Sequence, residues 1–412
     1  MSSGSSEIVL INVSGPDKPG LMAMLTSTLA QYQVRVLDLG QAVIHDELNL
    51  GILVLLEGRD GSAEVLEELS LRARDLGVNI RFEPVSSEKY QDWVEQQGKP
   101  RYIFTLLAGG ITAEQLAVVT SIIEQHGLNI DAIRRLTGRI PLDVVGASHR
   151  ASIEMSVRGP MVDQKALKEA IFRAGGELTF DFSVQEDTVY RRNRRLVAFD
   201  MDSTLIQVEV IDELAKRHGV GDRVAAITEK AMRGEMDFSA SLRERVKLLK
   251  GMSETALEEI ASAVLISDGA QRLVSTLQHF GYKTAIISGG FTYVGERLQK
   301  MLGIDYLYAN NLQVKHGRVT GEIQGEIVDA DRKASILREL CLKEGISLHQ
   351  SIAIGDGAND LPMLTVAGLG VAFHAKPTVR ESASHSISNF GLDSVLYLLG
   401  FSDQEVEQTS IP

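Results

Sequence analysis

The sequence predicts an α/β protein whose C-terminal part is a Rossmann-like core on a parallel sheet, preceded by two ferredoxin-like βαββαβ units. Four short runs in the C-terminal part are almost wholly apolar, and helical segments separate them. This pattern is typical of parallel strands that are covered on both faces. The runs are LVAF (196–199), TAII (284–287), SIAI (351–354) and GLGVAF (368–373). The N-terminal part instead repeats one order of strands and helices, which indicates a duplicated unit.

Both copies of the repeated unit have the order βαββαβ. In the first copy the spacing of Leu21, Leu25 and Leu29 predicts a helix, and Gly77 is a suitable left-handed end for the second helix. The first copy predicts strands at 7–15, 34–45, 50–57 and 78–85 and helices at 19–33 and 62–76. The second copy predicts strands at 101–107, near 128–137, at 151–158 and at 177–184, and helices at 113–126 and 163–174.

The predicted elements divide the chain into a unit at 1–88, a second unit at 100–185 and a C-terminal domain at 186–412. Residues 86–100 are polar and capable of forming a helix, and we interpret them as a linker. The basic run at 191–195 is interpreted as a solvated junction, because the chain as a whole is acidic.

Composition narrows the possible partners of the protein. The 412 residues carry a net charge of −13, which argues against broad nucleic-acid binding because that function needs a basic surface. The single cysteine, Cys341, cannot form an internal disulfide, which suits a reducing compartment. The sequence shows neither a signal-peptide pattern nor an apolar run of about 20 residues that would span a membrane. We therefore expect a cytoplasmic protein without membrane or nucleic-acid partners.

Two insertions interrupt the strand–helix alternation of the C-terminal part. The first, at about 205–270, follows the first apolar strand, and a helical insertion there would form a lid over the strand ends. Its predicted helices are 209–218, 221–233, 237–249 and 253–264. The second, at 304–328, predicts a β-ribbon with Asn310, Asn311 and Gly317 as turn residues.

Polar residues that could take part in catalysis follow the apolar strands, at the edge where ligands bind in open α/β sheets. Asp200 and Asp202 follow the first strand, where one carboxylate can attack phosphorus while the other handles the proton of the leaving oxygen. The turn Ser288-Gly289-Gly290 lets backbone N–H groups approach a phosphate. Lys333 can offset charge on a phosphoryl group. The loop 355–360 (GDGAND) offers oxygen ligands for Mg²⁺. Each feature alone is weak evidence for a phosphate-handling site, so the prediction depends on all four features occurring in this order.

Taken together, these four motifs resemble the haloacid-dehalogenase-like phosphohydrolases over about 186–400. Within that superfamily, Val208-Glu209, the lid segment 233–238 (RGEMDF) and Arg245 resemble the phosphoserine phosphatase family. A zwitterionic amino acid needs one fixed anion and one fixed cation, and an arginine suits a carboxylate. The resemblance implies a magnesium-dependent hydrolysis of O-phosphoserine that passes through a phospho-aspartyl intermediate.

The resemblance also implies a role for each motif residue. Asp200 is the expected nucleophile and Asp202 the general acid and base. Asp200, the main-chain carbonyl of Asp202 and Asp356 are the expected Mg²⁺ ligands, and Asp360 is expected to support them. The phosphate would be held by Ser288, Gly289, Lys333 and Asn359. Glu209 and Arg245 would grip the ammonium and carboxylate of the substrate, with apolar contacts from Met232 and Phe238.

The N-terminal units resemble ACT domains, which sense small molecules. The loop at 14–21 (SGPDKPGL) is similar to the family's ligand loop, so Asp17 and Gly20 are candidate contacts for an effector such as L-serine. The second unit places Gly109 at the equivalent point but lacks the same pattern. The resemblance implies a homodimer or larger assembly. Two alternatives stay open, namely a phosphatase of the same fold for another small phosphate or a phosphoprotein, and a non-catalytic amino-acid sensor.

Overall fold

The computed structural model describes residues 6–57, 59–139, 150–383 and 385–408. The chain divides between Lys99 and Pro100 into two compact units, which are described separately. Among the described residues, no helix has both the length and the apolar character that crossing a bilayer requires.

The first unit is one βαββαβ fold followed by a short helix. Its strands form an antiparallel sheet in the order β2-β3-β1-β4. Alternate strand residues such as Val9, Ile11 and Val13 are buried, and they form a core with Leu25 and Leu69 of the two helices. The elements are β1 (Glu7–Pro16), α1 (Leu21–Gln31), β2 (Arg35–Ile44), β3 (Glu47–Leu56), α2 (Arg59–Leu76), β4 (Asn79–Val85) and α3 (Ser87–Glu95).

Helix α3 occupies most of the segment that we interpreted as a linker. Ser86 begins it, because its hydroxyl accepts a hydrogen bond from the Lys89 backbone N–H at 3.2 Å. The helical capacity of this polar segment is therefore realised, although no α3 residue is buried.

The second unit opens with the other βαββαβ copy. Its four strands stand in the order β8-β5-β7-β6, which is the order of the first copy. This confirms the predicted internal repeat. The elements are β5 (Arg101–Ala108), α4 (Ala113–Gln125), β6 (Asn129–Arg135), β7 (Ala151–Arg158), α5 (Gln164–Leu178) and β8 (Phe180–Glu186).

Helix α5 runs four residues further than predicted, and strand β8 starts correspondingly later. The predicted end at residue 174 relied on the pair Gly175-Gly176, which lies inside the helix. A Cβ atom on Gly175 would stand 2.8 Å from the carbonyl oxygen of Phe180. This glycine therefore permits close packing of the helix on the next strand, and the helix ends instead at Thr179, which has a φ of 55°.

The remaining strands form the predicted parallel core. Strands β10, β9, β13, β14 and β15 are neighbours and run parallel, and β12 pairs antiparallel with β11 at one edge. The four predicted apolar runs are all strands, and they are buried almost throughout. The strands are β9 (Leu196–Phe199), β10 (Lys283–Phe291), β11 (Tyr306–Lys315), β12 (Arg318–Gln324), β13 (Ser351–Gly355), β14 (Leu369–Phe373) and β15 (His385–Ile387).

Helices fill the intervals between these strands, and the first four form the predicted helical insertion. These four are α6 (Val210–His218), α7 (Gly221–Met232), α8 (Phe238–Leu248) and α9 (Glu254–Ala263). The others are α10 (Ala270–His279), α11 (Thr292–Leu302), α12 (Ala330–Lys343), α13 (Leu361–Val366), α14 (Pro377–Ser382), α15 (Val395–Leu398) and α16 (Asp403–Glu407).

The β-ribbon is confirmed, but two of its predicted turn residues are not in the turn. Asn310 and Asn311 lie within β11, and the turn stands at His316 and Gly317, both with positive φ. Asn310 is fully buried. An asparagine signals a turn only when its side chain bonds to nearby backbone, and this one bonds elsewhere.

The second βαββαβ copy and the core share one eleven-stranded sheet, because β15 pairs antiparallel with β8. The basic run at 191–195 lies at this junction, and its interpretation as solvated is wrong for two members. Arg191 is 4% exposed and forms an ion pair with Glu154. Arg194 is 5% exposed and donates to Gln185 Oε1 at 2.9 Å. Both arginines are therefore part of the packed junction.

Candidate active site

Two aspartates leave the end of β9 with different surroundings. Asp200 and Asp202 are both buried, and the backbone of Ser203 between them and α6 takes a φ of 57°. In the described part of the chain, Asp202 Oδ1 is buried without a hydrogen-bond partner. Burial, followed by the negative charges of Glu209 and Asp200, raises the pKa of Asp202 well above its usual range. The raised pKa favours the protonated form of this carboxyl group, which is the form that can donate a proton.

Lys333 connects the loop after β9 to the loop after β13. It lies in the first turn of α12, which begins at Asp329, whose carboxylate accepts from the Arg332 backbone N–H at 2.9 Å. The Lys333 ammonium is fully buried and donates to Asp200 Oδ1 at 2.8 Å and to Asp360 Oδ1 at 2.7 Å. Burial disfavours the charged form, but these two carboxylates outweigh it and raise the pKa of Lys333. The ammonium is therefore permanently charged beside Asp200.

The glycine-rich loop after β13 holds two more carboxylates. A Cβ atom on Gly355 would stand 2.4 Å from Asp360 Cγ, so only glycine lets this carboxylate fold back over the loop. Asp360 Oδ2 accepts from the Gly357 backbone N–H at 2.9 Å. Asp356 Oδ1 accepts from the Thr204 hydroxyl at 3.0 Å, which connects this loop to the loop after β9.

A divalent cation fits this cluster of carboxylates. Oxygen atoms of Asp200, Asp356 and Asp360 all lie within 4.8 Å of one another. Burial and the charges of Asp200 and Asp360 raise the pKa of Asp356 to about 8. Concentrated carboxylates repel one another unless a cation or proton offsets their charge, and an all-oxygen donor set is the kind that Mg²⁺ prefers.

The turn Ser288-Gly289-Gly290 packs closely against the aspartate loop and against Phe238. A Cβ atom on Gly290 would stand 2.9 Å from Asp202 Oδ2, and one on Gly289 would stand 2.8 Å from the ring of Phe238. The Ser288 hydroxyl accepts from the Gly290 backbone N–H at 3.0 Å. The glycines therefore bring backbone next to the aspartate loop, and the helical insertion reaches the turn through Phe238.

Asn310 supports this turn from β11. Its Nδ2 donates to the Gly289 carbonyl at 2.7 Å, and its Oδ1 accepts from the Val328 backbone N–H at 2.9 Å. Sequence reasoning missed both Asn310 and Thr204 as residues of the site. The sequence carries no clear signal for Asn310, because the same strand also contains Asn311, Gln313 and Lys315.

The residues that we expect to bind the amino-acid part of a substrate, Glu209 and Arg245, lie on the helical insertion. The Ser203 hydroxyl donates to Glu209 Oε1 at 2.8 Å. Burial lowers the pKa of Arg245, while the nearby carboxylates of Asp212, Glu209 and Asp202 oppose this change. Arg245 forms no ion pair with any described residue, and its one recorded hydrogen bond runs from Nε to the Ser241 carbonyl at 3.4 Å. Its terminal nitrogens are therefore available for a ligand.

The other candidate residues differ in their surroundings. Phe238 and Asn359 are half-buried, Phe238 against the glycine turn and Asn359 in the loop of Asp360. Met232 lies at the end of α7 with 65% of its surface exposed, outside the buried cluster. In the first unit, Asp17 is exposed and Gly20 precedes α1 with a φ of 92°. Gly109 is exposed directly after β5.

Comparison with family models identifies two regions of the chain. Residues 197–365 match the haloacid dehalogenase-like hydrolase family, and residues 7–83 match the ACT domain. A solved haloacid dehalogenase family hydrolase from Salmonella enterica superposes with a TM-score of 0.62 at 29% identity and covers 73% of this chain and 98% of its own. A solved probable phosphoserine phosphatase from Vibrio cholerae superposes with a TM-score of 0.58 at 33% identity and covers 74% of this chain and 88% of its own.

Curated relatives extend the similarity over nearly the whole chain. A phosphoserine phosphatase of Streptomyces coelicolor is 40% identical over 399 residues, covering 97% of this chain and 93% of the relative. One of Mycobacterium tuberculosis is 38% identical over 401 residues, covering 97% and 94%. The chain therefore belongs to the phosphoserine phosphatase family of haloacid dehalogenase-like hydrolases and carries an ACT domain at its N-terminal end.

Proposed function

We propose that this protein hydrolyses O-phospho-L-serine to L-serine and phosphate. The observation that carries the proposal is the contrast between the two aspartates after β9. Asp200 lies in a salt bridge with the buried Lys333 ammonium, whereas burial raises the pKa of Asp202 and favours its protonated form. Asp200 can thus act as the nucleophile and Asp202 as the proton donor, and phosphate-ester cleavage requires both roles.

In the first step, an Asp200 oxygen attacks phosphorus and the bond from phosphorus to the serine oxygen breaks. Asp202 gives its proton to that oxygen, so that serine leaves with a neutral hydroxyl group. In the second step, Asp202 is a carboxylate and takes a proton from water as the water oxygen attacks the phospho-aspartyl group. Phosphate leaves and Asp200 is regenerated, while the charged Lys333 stabilises the phosphoryl oxygens throughout.

Backbone and side-chain donors surround the place of the phosphoryl group. We assign phosphate contacts to Ser288, the Gly289 backbone N–H and Asn359, in addition to Lys333. Mg²⁺ would be held by Asp200, the main-chain carbonyl of Asp202 and Asp356, with Asp360 supporting these ligands through Lys333 and the Gly357 N–H. When bound, Mg²⁺ offsets the charge of the phosphoryl oxygens.

Glu209 and Arg245 define the amino-acid specificity in this proposal. Glu209 would accept from the substrate ammonium, and Arg245 would donate to its carboxylate. Phe238 would close over the bound substrate, and Met232, although exposed in this state, would add an apolar contact when the insertion closes. A phosphatase for another small phosphate or a phosphoprotein would not need this pair. A non-catalytic sensor would not need an intact set of Asp200, Asp202 and Lys333.

Phosphate release from O-phospho-L-serine, with and without Mg²⁺, tests the proposal. Metal-dependent turnover by the wild type and loss of turnover in Asp200→Asn are expected. Turnover of other phosphates but not of phosphoserine would keep the chemistry and refute the substrate. Turnover that persists in Asp200→Asn would refute the nucleophile.

Arg245→Ala, compared with Arg243→Ala on the same helix, tests the substrate clamp. Arg243 is exposed, so its removal is the matched control. Loss of a charge-assisted hydrogen bond to the carboxylate predicts kcat/KM for phosphoserine about 10- to 100-fold lower in Arg245→Ala. An unchanged kcat/KM would contradict the assignment.

We also propose that the N-terminal unit is regulatory, with L-serine bound near Asp17 and Gly20, and with Gly109 at the equivalent place of the second copy. The ACT match at 7–83 supports this. Strand β2 is the edge of its sheet and exposes Val36, Leu39 and Val43, which supports pairing with a second copy of the chain. Light scattering and rates with excess L-serine test both parts, and a monomer whose rate shows only product inhibition would refute them.

A further inference from the structure

A groove lies along the junction between the second βαββαβ copy and the core sheet. We call it the seam groove. Helix α5 and strand β8 form one wall, and α14 and β15 form the other. It consists of two adjoining cavities of about 560 Å³ and 440 Å³, which share Phe172, Phe182, Arg380 and Ser386 in their linings. Its floor is the β8–β15 pairing, where His385 Nδ1 and the Ser183 hydroxyl are hydrogen-bonded at 2.9 Å.

Lys168 places an unpaired cation in this groove. Its side chain lines the larger cavity from α5 and is half-buried. No described residue forms an ion pair with it, and burial lowers the pKa of its ammonium. Its neighbour Lys165 is different, because Lys165 is exposed and lies 3.8 Å from Glu169. A lysine that is desolvated without a partner carries an energetic cost that an anionic ligand would offset.

Arg380 supplies a second unpaired cation from the opposite wall. Its guanidinium lies 5.2 Å from the centre of the Phe172 ring, and its Nη1 donates to the Ser388 hydroxyl at 3.1 Å. Its Nε is buried, and within the described part of the chain it has no hydrogen-bond acceptor. Buried donors of a charged group are rarely left unsatisfied, so this Nε points to a ligand that accepts hydrogen bonds.

The carboxylates of the groove do not neutralise these cations. Asp181 accepts from the backbone N–H groups of Ser388 and Asn389, both at 2.9 Å, and from the Asn389 amide at 3.0 Å. Glu169 forms an ion pair with Lys165, and Glu177 and Glu381 are exposed and take part in no ion pair with a described residue. Among the described residues, Lys168 on one wall and Arg380 on the other therefore have no carboxylate partner, although the two linings contain as many acidic as basic residues.

We propose that the seam groove is a binding site for a small oxyanion, namely the carboxylate or phosphate group of a free metabolite, held between Lys168 and Arg380. Its two walls come from the ACT-like copy and from the core. A bound anion therefore bridges the parts that a regulatory ligand must connect. Strand β15 is also joined through β14 to β13, the strand that ends at the loop of Asp356.

Isothermal titration of the full-length protein with inorganic phosphate and, in a separate arm, with L-serine tests the proposal. The variants are Lys168→Gln and Arg380→Gln, and the control is Lys300→Gln, an exposed lysine of α11 outside the groove. We expect one binding component, separate from product binding at the active site and from effector binding near Asp17 and Gly20, that weakens about tenfold or more in each groove variant and is unchanged in the control. If the phosphate arm shows this component, the bound group is a phosphate, and if the L-serine arm shows it, the bound group is a carboxylate. Equal affinities in all four proteins, in both arms, would overturn the proposal.

Two further measurements separate this site from the catalytic one and from simple unfolding. Turnover of phosphoserine at low product concentration should be unchanged in Lys168→Gln. The titration itself requires no turnover, so its outcome does not depend on the proposed function. Without added anion, Lys168→Met should melt no lower than the wild type, because it removes a desolvated charge. Phosphate or L-serine should then raise the melting temperature of the wild type more than that of the variant. An equal rise in both proteins would show that anions bind only elsewhere.

Discussion

Substitution of Asn310 tests the support of the turn proposed to bind phosphate, without changing the proposed catalytic groups. Asn310 is fully buried in β11, and its amide joins the Gly289 carbonyl to the Val328 backbone N–H. Asn310→Ala removes the partner of the buried Val328 N–H and that of the half-buried Gly289 carbonyl. The next residue is the matched control, since Asn311 is exposed and its recorded contact, with Thr292, is a long 3.4 Å.

The structure sets the expected size of the effect. A buried backbone group left unsatisfied costs about 1–3 kcal/mol, and the half-buried Gly289 carbonyl costs less, so Asn310→Ala should lose about 2–4 kcal/mol of stability. A loss of about 3 kcal/mol lowers the melting temperature of a domain of about 150–250 residues by about 6–12 °C. Release of the Gly289 carbonyl also lets its peptide shift, and a displacement of about 1 Å can reduce kcat about 100-fold.

The assay is phosphoserine turnover, measured well below the melting temperature of each variant, with calorimetry alongside. We expect kcat to fall about 10- to 100-fold in Asn310→Ala and to stay within twofold in Asn311→Ala. In Asn310→Asp the acceptor for Val328 remains but the donor to Gly289 is lost, so kcat should fall as in the alanine variant. A stable, folded Asn310→Ala protein with wild-type kcat would refute the reasoning.

Two predictions concern the junction between β8 and β15. Asp393 is buried and binds Arg150 and Arg272 at 2.5–2.9 Å, so Asp393→Ala should lose about 3 kcal/mol on denaturant unfolding. The control is Glu213→Ala, which breaks a solvated ion pair with Lys216 and should lose less than about 1 kcal/mol; equal losses would contradict this. Burial, then Lys168 and Arg194, lowers the pKa of His385 far below 6.5. Below about pH 6.5 the unfolded state alone gains a proton there, so stability should fall by up to about 1.4 kcal/mol per pH unit. The contribution of His385 to the slope should be lost in His385→Gln but not in His279→Gln, and three parallel pH profiles would refute it.

The two aspartate loops of the candidate site were predictable because each directly follows a short apolar strand in the sequence. Asp200 and Asp202 follow a short apolar strand, and so does the loop of Asp356 and Asp360. Parallel strands bring such loops to one edge, so their proximity follows from the topology alone. The contact of Lys333 with two of these carboxylates needed more than topology. Its place in the first turn of α12 was predictable, but the direction of its side chain depends on packing.

Asn310 and Thr204 were missed because their roles depend on partners far along the chain. Asn310 acts on Gly289 and Val328, and Thr204 acts on Asp356, a separation of 152 residues. Asparagine is most common in turns, and this preference led to the wrong placement of Asn310. Local propensity cannot distinguish a turn asparagine from a buried amide that connects two loops.

The junction between the second βαββαβ copy and the core shows the same limitation on a larger scale. Strand β15 has only three residues, His385–Ile387, and its sequence gives no sign that its partner is β8, about 200 residues earlier. The basic run at 191–195 suggested solvent exposure, yet Arg191 and Arg194 are buried because Glu154 and Gln185 lie opposite them. Charged residues are buried only when partners satisfy them, and those partners belong to another element. A unit that shares a sheet with the core, as the second βαββαβ copy does, can transmit strain through β15 and β14 to β13 and Asp356. We therefore expect that any change of turnover caused by a ligand in the seam groove weakens when Asp393→Ala loosens the junction.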